Sequence, residues 1–343
     1  MAEQRAQLDQ VQFLRGIAAF SILIAHTPYL QGGHFGVDLF FVISGFIMMY
    51  VTERSHENFL LKRAVRIIPL YWLGTLGLYS LAWIAPGLLN TASTDVTNLL
   101  KSLFFIPYFN GHTFEPLLRL GWTLNYEVFF YLVFFISMSC SHRYRAAITT
   151  ALLLSFVVLG HLVQPENSVA NFYSSPILLE FVYGMLAFYI FRATQSRREN
   201  MGYGRARLYA LLGTVLYIAM FFIPWPEDYT TRYLIWGLPS LLVFMLVAIG
   251  GSNVKTLGFF VLLGNVSYSL YLLHPYVIHL IDRKVYSISE PGAMAVVFTL
   301  VAYALSIVVA YISWRFIEQT SQRYLMSRWY SYKGRLSAQQ ATS

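Results

Sequence analysis

The sequence predicts an all-α integral membrane protein with about ten transmembrane helices. Of its 343 residues, 57% are hydrophobic and only 12% are charged, which is about half the charged fraction of an ordinary soluble domain. This deficit of charge excludes a disordered chain, a coiled coil and a nucleic-acid-binding module, so no nucleic-acid partner is expected. The single cysteine, Cys140, excludes an internal disulfide and a thiolate metal cluster, and no metal site is predicted.

The apolar stretches define the predicted helices, because about 20 mostly apolar residues cross the hydrocarbon core of a bilayer. Ten stretches qualify, near 11–29, 35–52, 66–85, 122–140, 146–163, 174–191, 208–224, 232–250, 256–280 and 292–314. Residues 96–108 are apolar but too short to cross, and they predict an interfacial or re-entrant segment. A single transmembrane domain is expected over 1–343, with its core at about 11–318 and a cytoplasmic tail at 319–343.

The positive charges predict the orientation, since Lys and Arg concentrate in cytoplasmic loops. With a cytoplasmic N-terminus, the inside segments hold 19 of the 24 Lys and Arg residues. The outside segments hold the remaining five, which are Lys101, Arg119, Arg232, Arg283 and Lys284. The prediction is therefore N-in and C-in, and the net charge of +8 is explained without a polyanionic partner.

Ionisable residues inside the first span are candidates for function, because charge within a membrane is costly. Arg15 and His26 are eleven positions apart, which places both on one helix face about 16 Å apart along the axis. A snorkelling arginine and a hydrogen-bonded histidine at the interface are an equally good explanation of this pair alone.

Two carboxylates, Asp38 and Glu127, and a second histidine, His274, are also predicted in the outer half of the membrane. Asp38 lies at the outer end of span two, where it can cap the helix or orient a histidine. Glu127 lies about one and a half turns into span four, and a structural role there is hard to find. His274 lies near the outer end of span nine, and His279 is expected at the interface. A histidine beside a carboxylate is the pair needed to activate a hydroxyl group.

The cytoplasmic side of the membrane carries arginines rather than histidines and carboxylates. Arg63 and Arg66, at the start of span three, share a helix face. They can serve as a positive-inside anchor or as a bidentate clamp for phosphate. A basic mouth opposite a histidine and carboxylates suggests a donor loaded from inside and an acceptor outside.

Five motifs in this order resemble the membrane-bound acyltransferase-3 family over about residues 14–318. They are the Arg15-x10-His26 pair and the segments GVDLFFVISGF, KRAVRIIPLYW, WTLNYEVFFY and SYSLYLLHP. The resemblance implies transfer of an acyl group, most often acetyl from acetyl-CoA, onto a sugar hydroxyl. It points to a compact exopolysaccharide acetyltransferase without the hydrolase-like domain that is fused to some relatives. A bacterial inner membrane is the implied location, with membrane lipid around the chain.

The resemblance also implies roles for individual residues. The catalytic group consists of His26 and Glu127, with Asp38 as a second candidate for orienting His26. Acyl-CoA as a co-substrate, rather than a permanently bound cofactor, is expected to contact Arg15, Arg63 and Arg66. The acceptor, a polysaccharide or a lipid-linked saccharide, is expected near His274, Tyr126, Trp122 and Tyr271. The WRFIE segment (314–318) also resembles the family, but for Arg315 and Glu318 we expect a structural ion pair that closes the inner end of the last span.

Several alternatives stay open at this point. Direct attack of the hydroxyl and a covalent acyl-histidine differ kinetically, because the covalent route is ping-pong. Backbone amides, or the hydroxyl of Tyr126 or Tyr271, can stabilise the oxyanion. A transporter or flippase of saccharides or small solutes also uses buried His, Glu and Arg, and a structural subunit of a synthase leaves Glu127 unexplained. The acyl group, acetyl or succinyl, the acceptor hydroxyl and the oligomeric state are not encoded in any recognisable motif.

Overall fold

The computed structural model describes residues 2–27, 32–53, 55–85, 94–111, 113–166, 168–224, 226, 230–251, 254–285, 287–288 and 292–342. Every regular element in these ranges is helical. The α-helices are α1 (Ala2–Ala25), α2 (Gly36–Val51), α3 (Phe59–Ile84), α4 (Val96–Leu103), α5 (Trp122–Cys140), α6 (Arg145–Val163), α7 (Ser168–Phe172), α8 (Leu179–Ala193), α9 (Gln195–Glu199), α10 (Tyr203–Ala219), α11 (Leu238–Phe244), α12 (Gly258–Lys284), α13 (Ala293–Ser313) and α14 (Gln319–Thr342).

The predicted helical membrane class is confirmed. In the described part of the chain, eight helices are long and apolar enough to cross a membrane. They comprise α3, α5, α6, α8, α10, α11, α12 and α13, several of them lengthened by flanking turns. Helix α2 is apolar but has only 16 residues. Within the described residues, the ten predicted stretches fall on helices, and residues 28 and 29 of the first stretch lie outside those residues. The number ten and the orientation stay predictions.

Helix α3 and the C-terminal tail differ from the prediction. Helix α3 begins at Phe59 rather than near residue 66, after Asn58 adopts a left-handed backbone with φ 55°. The predicted tail is helical: α13 continues through the π-helical turn Trp314–Glu318 into α14. The tail contacts the start of α3, where Trp329 Nε1 donates to Asn58 Oδ1 at 3.1 Å.

The predicted ion pair between Arg315 and Glu318 is wrong. Arg315 Nη1 instead donates to Gln319 Oε1 at 2.9 Å, which lies one turn further along the helix. Glu318 is buried, at 6% exposure, and accepts a hydrogen bond from Ser269 Oγ of α12. The glutamate therefore joins the last helices of the chain instead of closing one helix on itself.

The 96–108 segment contains the short helix α4 (Val96–Leu103), whose eight residues are too few to cross a bilayer. Its first turn is capped by Asp95, whose side chain accepts from Thr97 N at 2.9 Å, which satisfies one of the free amides at the helix start.

Glycines bring the central helices into backbone contact. A Cβ on Gly45 of α2 would overlap the Phe181 carbonyl oxygen of α8, and one on Gly184 of α8 would overlap the Val42 carbonyl oxygen. Gly264 of α12 lies equally close to the Gln12 carbonyl oxygen of α1. Small residues of this kind let membrane helices approach closely. The pairs α1–α12 and α2–α8 therefore form the framework around the cavities described next.

Candidate functional site

Three cavities lie in a row between the central helices. The first encloses about 750 Å³ and is lined by Arg15, Arg63 and Arg66; we call it the arginine cavity. The central cavity encloses about 630 Å³. The third encloses about 1500 Å³ and is lined by His26 and His34; we call it the histidine cavity. Neighbouring cavities share wall residues, which are Arg15, Ile47 and Arg66 on one side of the central cavity and Val37 and Tyr271 on the other.

The arginine cavity contains the three arginines that the sequence predicts as donor contacts. Arg15 donates to Gln12 Oε1 at 3.2 Å and to Ser267 Oγ at 2.8 Å. The Nε and Nη1 atoms of Arg63 are buried with no hydrogen-bond partner. Among the described residues, none of the three arginines forms a salt bridge. Guanidinium groups that form no salt bridge are suited to an anionic ligand such as a phosphate.

Glu127 lies in the central cavity together with Arg15 and Arg66. Its carboxylate accepts hydrogen bonds from the Tyr131 hydroxyl, one turn further along α5, and from Ser44 Oγ at 3.2 Å. The sequence predicts Glu127 at the depth of His26, but Glu127 does not line the histidine cavity. Its described hydrogen bonds show no contact with His26, so its predicted role in orienting that ring is not supported by the geometry.

His26 directly follows α1 and lines the histidine cavity. Its Nδ1 lies 2.8 Å from the Ile22 carbonyl oxygen, one turn back on the helix. The ring of His34 lies 5.9 Å from it, centroid to centroid. Burial, together with the nearby His26 and Arg232, lowers the pKa of His34 from 6.5 to about 4, so that His34 is neutral at ordinary pH.

The partner of His26 is a second histidine. His274 Nε2 lies 3.2 Å from His26 Nδ1, and the ring centroids are 4.8 Å apart. The other nitrogen of His274, Nδ1, lies 2.8 Å from the Leu270 carbonyl oxygen. His274 is fully buried and lines none of the three cavities. The prediction that His274 contacts the acceptor is therefore corrected: His274 reaches the cavity only through His26.

Asp38 also has a different partner from either of those predicted. Its two oxygens accept from Arg232 Nε at 2.9 Å and from Arg232 Nη2 at 2.8 Å, and both side chains are buried. The described hydrogen bonds of the Asp38 side chain come from Arg232, and none comes from the first turn of α2. Fully buried Glu180 lies beside this pair. Asp38 is thus committed to holding Arg232 at the cavity wall, and no described hydrogen bond joins it to His26.

The predicted acceptor aromatics do line the histidine cavity. Trp122 and Tyr126 are in its wall, and Tyr271 lies where it meets the central cavity. The Tyr126 hydroxyl donates to the Phe172 carbonyl oxygen at 3.0 Å, and the Tyr271 hydroxyl donates to the Leu120 carbonyl oxygen at 3.1 Å. Because both hydroxyl hydrogens are already engaged, neither tyrosine is placed as a free oxyanion donor.

Sequence reasoning missed several residues of the site. Arg232 was counted only as an outside charge, although it lines the histidine cavity and its guanidinium carbon lies 5.1 Å from the Trp236 ring. His34 lies within the GGHFGVD segment already singled out, and Glu180 is a carboxylate in an apolar stretch. Both were therefore visible as unusual polar residues. Among the described residues, no group of three or more His, Cys, Asp or Glu side chains could hold a metal ion.

Comparison with known proteins assigns the chain to a family. The acyltransferase domain of the acyltransferase 3 family matches residues 8–315. The chain belongs to this family. Since the family match covers all three cavities, we assign the chain as an acyltransferase acting on hydroxyl groups, and the transporter alternative gives way to an enzyme.

Two curated relatives of this acyltransferase extend the comparison. The exopolysaccharide production protein ExoZ of Rhizobium meliloti (strain 1021) is 34% identical over 294 residues, which are 81% of this chain and 88% of the relative. The O-acetyltransferase OatA of Staphylococcus aureus (strain NCTC 8325 / PS 47) is 27% identical over 346 residues, covering 89% of this chain. The matched region is 55% of OatA, so the acyltransferase corresponds to about half of that protein. No solved structure matches the chain.

Proposed function

We propose that this acyltransferase moves an acetyl group, or another short acyl group, from acyl-CoA to a sugar hydroxyl of an exopolysaccharide or its lipid-linked precursor. The observation that carries this proposal is the row of cavities, with arginines at one end and His26 at the other. The name of the ExoZ relative supports a role in exopolysaccharide production, and the name of OatA supports acetyl as the group transferred.

The arginine cavity is suited to the phosphates of the donor. Arg63 offers Nε and Nη1 without protein partners, and Arg66 and Arg15 lie in the same wall. The extended pantetheine arm of acyl-CoA would run along the central cavity past Arg15, which borders both compartments. In this arrangement the thioester reaches the junction at Val37 and Tyr271, where the central and histidine cavities share a wall.

The histidine cavity is suited to the acceptor. Trp122, Phe109 and Phe114 line it, and aromatic rings of this kind stack on the apolar faces of sugars. His26, in the same cavity, acts as the general base that takes the proton of the attacking hydroxyl. Donor and acceptor thus enter from opposite ends, which fits a bacterial inner-membrane enzyme with the arginine cavity facing the cytoplasm.

The proposal is tested with membranes containing wild-type, His26→Ala or His161→Ala protein at matched levels. His161 is exposed on α6, so its variant controls for the loss of an imidazole. Labelled acetyl-CoA is supplied with native acceptor, and label is followed into saccharide and into protein. We expect wild type and His161→Ala to label saccharide, and His26→Ala to be slower by about 10²–10⁴-fold.

Three further outcomes are informative. Label retained on wild-type protein but absent from His26→Ala supports a covalent acyl-histidine. Sealed inverted vesicles should use external acetyl-CoA, whereas right-side-out vesicles should not. If wild-type membranes with native acceptor transfer nothing from acetyl-CoA, acetyl-CoA is not the donor, and failure with other short-chain acyl-CoA donors as well would overturn the proposal.

A further inference from the structure

We infer that His274 is a positioning residue for His26: the His26–His274 contact holds His26 in the tautomer whose Nε2 is the base, and it stabilises the imidazolium formed during acyl transfer. The inference rests on the proposed function for its chemistry. Its structural basis is the chain of contacts from Leu270 through both rings to Ile22.

The tautomer of His274 follows from its buried partner. Nδ1 lies 2.8 Å from the Leu270 carbonyl oxygen, and a carbonyl oxygen can only accept a hydrogen bond. Nδ1 therefore carries the hydrogen. In a neutral ring, the other nitrogen, Nε2, then has a lone pair, and this lone pair faces His26 Nδ1 at 3.2 Å.

The tautomer of His26 follows in the same way. Its Nδ1 lies 2.8 Å from the Ile22 carbonyl oxygen and 3.2 Å from the His274 Nε2 lone pair. Both neighbours accept, so the hydrogen must be on His26 Nδ1, which the two acceptors share. The opposite tautomer would place a lone pair against two acceptors. The remaining nitrogen, Nε2, thus carries the lone pair of a ring that lines the histidine cavity.

With His26 in this tautomer, every bond and proton of the transfer step can be followed. The acceptor O–H bond breaks as its proton moves to His26 Nε2, and the oxygen forms a bond to the acyl carbon of the thioester. The C–S bond then breaks, and the CoA sulfur takes the proton from Nε2. While His26 is charged, its Nδ1–H donates more strongly to Ile22 and His274. The contact with His274 is therefore stronger in the transition state than in the resting enzyme, which is the condition for raising kcat.

Neither predicted carboxylate competes for this role. Asp38 is bound through both oxygens to Arg232, and Glu127 accepts from Tyr131 and Ser44 in the central cavity. In serine hydrolase triads the orienting group is usually a carboxylate, whereas here a neutral imidazole occupies that position. A side chain that offers a hydrogen-bond acceptor at the position of Nε2 should therefore retain the function of His274. An apolar side chain of similar size should lose it.

The test compares His274→Gln with His274→Leu. Glutamine offers a carbonyl oxygen near the position of Nε2, and leucine fills the space without an acceptor. His279→Gln, an exposed position on the same helix, is the control. For His274→Leu we expect kcat to fall by up to about 10⁴-fold with the KM for acetyl-CoA unchanged, which is the effect of replacing the orienting residue of a triad. His274→Gln should stay within about tenfold of wild type, and His279→Gln should equal it.

The same measurements of kcat could also overturn the inference. If Gln and Leu lower kcat equally in folded protein, the acceptor atom is irrelevant and His274 is a packing residue. If neither lowers kcat, His274 has no role in transfer.

An activity-independent measurement separates this inference from the proposed function. Nitrogen NMR of histidine-labelled protein, with the His26 signals identified by their loss in His26→Ala, should show protonated Nδ1 and unprotonated Nε2. The reverse tautomer would overturn the inference even in an active enzyme. Inactive wild-type membranes would count against acetyl-CoA as the donor, and the NMR result would still decide the role of His274.

Discussion

The two end cavities differ in how their arginine side chains are paired. At the histidine cavity, Arg232 is bound by Asp38 through two hydrogen bonds, and Arg119 pairs with Glu115 at 3.1 Å. At the arginine cavity, Arg63 has two buried nitrogens without a partner, and the structure pairs neither it nor Arg66 with a described carboxylate.

This difference distinguishes arginines with a structural role from arginines that are available to bind a ligand. An arginine already bound by a buried carboxylate has little left to offer an anion, and its pair instead holds the wall in place. An arginine whose nitrogens are buried without a hydrogen-bonded carboxylate has a large desolvation cost, which an incoming phosphate would offset. Four predictions test this contrast, from the largest expected effect to the smallest.

Asp38→Asn should be the most damaging change to stability. It removes the carboxylate that binds Arg232 through both of its oxygens, and breaking a buried pair in this way costs roughly 3–5 kcal/mol of unfolding free energy. The measurement is denaturant or thermal unfolding of the purified protein in detergent. The control is Glu115→Gln, whose partner Arg119 is 69% exposed, and which should cost less than about 1 kcal/mol. Equal losses in the two variants would show that the buried pair has no special structural role.

Arg63→Gln should act on donor binding rather than on stability. A hydrogen bond to a charged group contributes about 1.5–3 kcal/mol, so the KM for acetyl-CoA should rise about 10- to 100-fold while kcat changes little. Steady-state kinetics in membranes provide the measurement. Arg143→Gln, which removes an exposed cation outside the cavities, should leave both constants unchanged. A fall in kcat at constant KM would instead place Arg63 in the chemistry.

Gly45→Ala should disturb the contact between α2 and α8. Helix α2 also bears Asp38 and Ser44, which lie between the cavities. Its Cβ would overlap the Phe181 carbonyl oxygen, and forcing such helices apart costs about 1–3 kcal/mol. Detergent unfolding measures the loss. Gly77→Ala on α3 is the matched control, since a Cβ there meets nothing within 4 Å, and it should be neutral or slightly stabilising. Equal behaviour of the two glycines would argue against the close approach.

His34→Gln should have the smallest effect, visible only in acid. The pKa of His34 is lowered from 6.5 to about 4 by burial, so between these values the unfolded chain binds a proton that the folded protein does not. Stability is therefore lost as pH falls from 6.5 towards 4, and His34→Gln should remove part of that loss. Comparing Tm at about pH 7 and about pH 4.5 measures it, with His161→Gln as control. An unchanged difference in Tm would show that His34 does not contribute.

Features set by local geometry were predictable. The eleven-residue spacing places Arg15 in the arginine cavity and His26 in the histidine cavity, because the rise and turn of one helix fix both the face and the separation. The bounds of α5 agree with the predicted 122–140 stretch. The motif residues Arg63 and Arg66 meet Arg15 as predicted, since they also begin a span from the same side.

Features set by partners distant in sequence were not predictable. Asp38 was a catalytic or capping candidate until the structure paired it with Arg232, 194 positions away. His274 was expected to contact the acceptor, yet it supports His26 across 248 positions. Glu127 proved to lie in the central cavity, because the packing of α5 against the neighbouring helices, rather than its position along α5, decides which cavity its side chain enters.

The sequence by itself determined the helical membrane class, the family and which ionisable residues lie towards each end of the spans, because apolar length, charge and motif spacing are properties of single segments. Only the tertiary structure decided which polar groups share a cavity, which are neutralised by one another and which stay available to a ligand. Those outcomes depend on helix–helix packing, where a glycine contact such as that of Gly45 with Phe181 sets the distance between residues far apart in the chain.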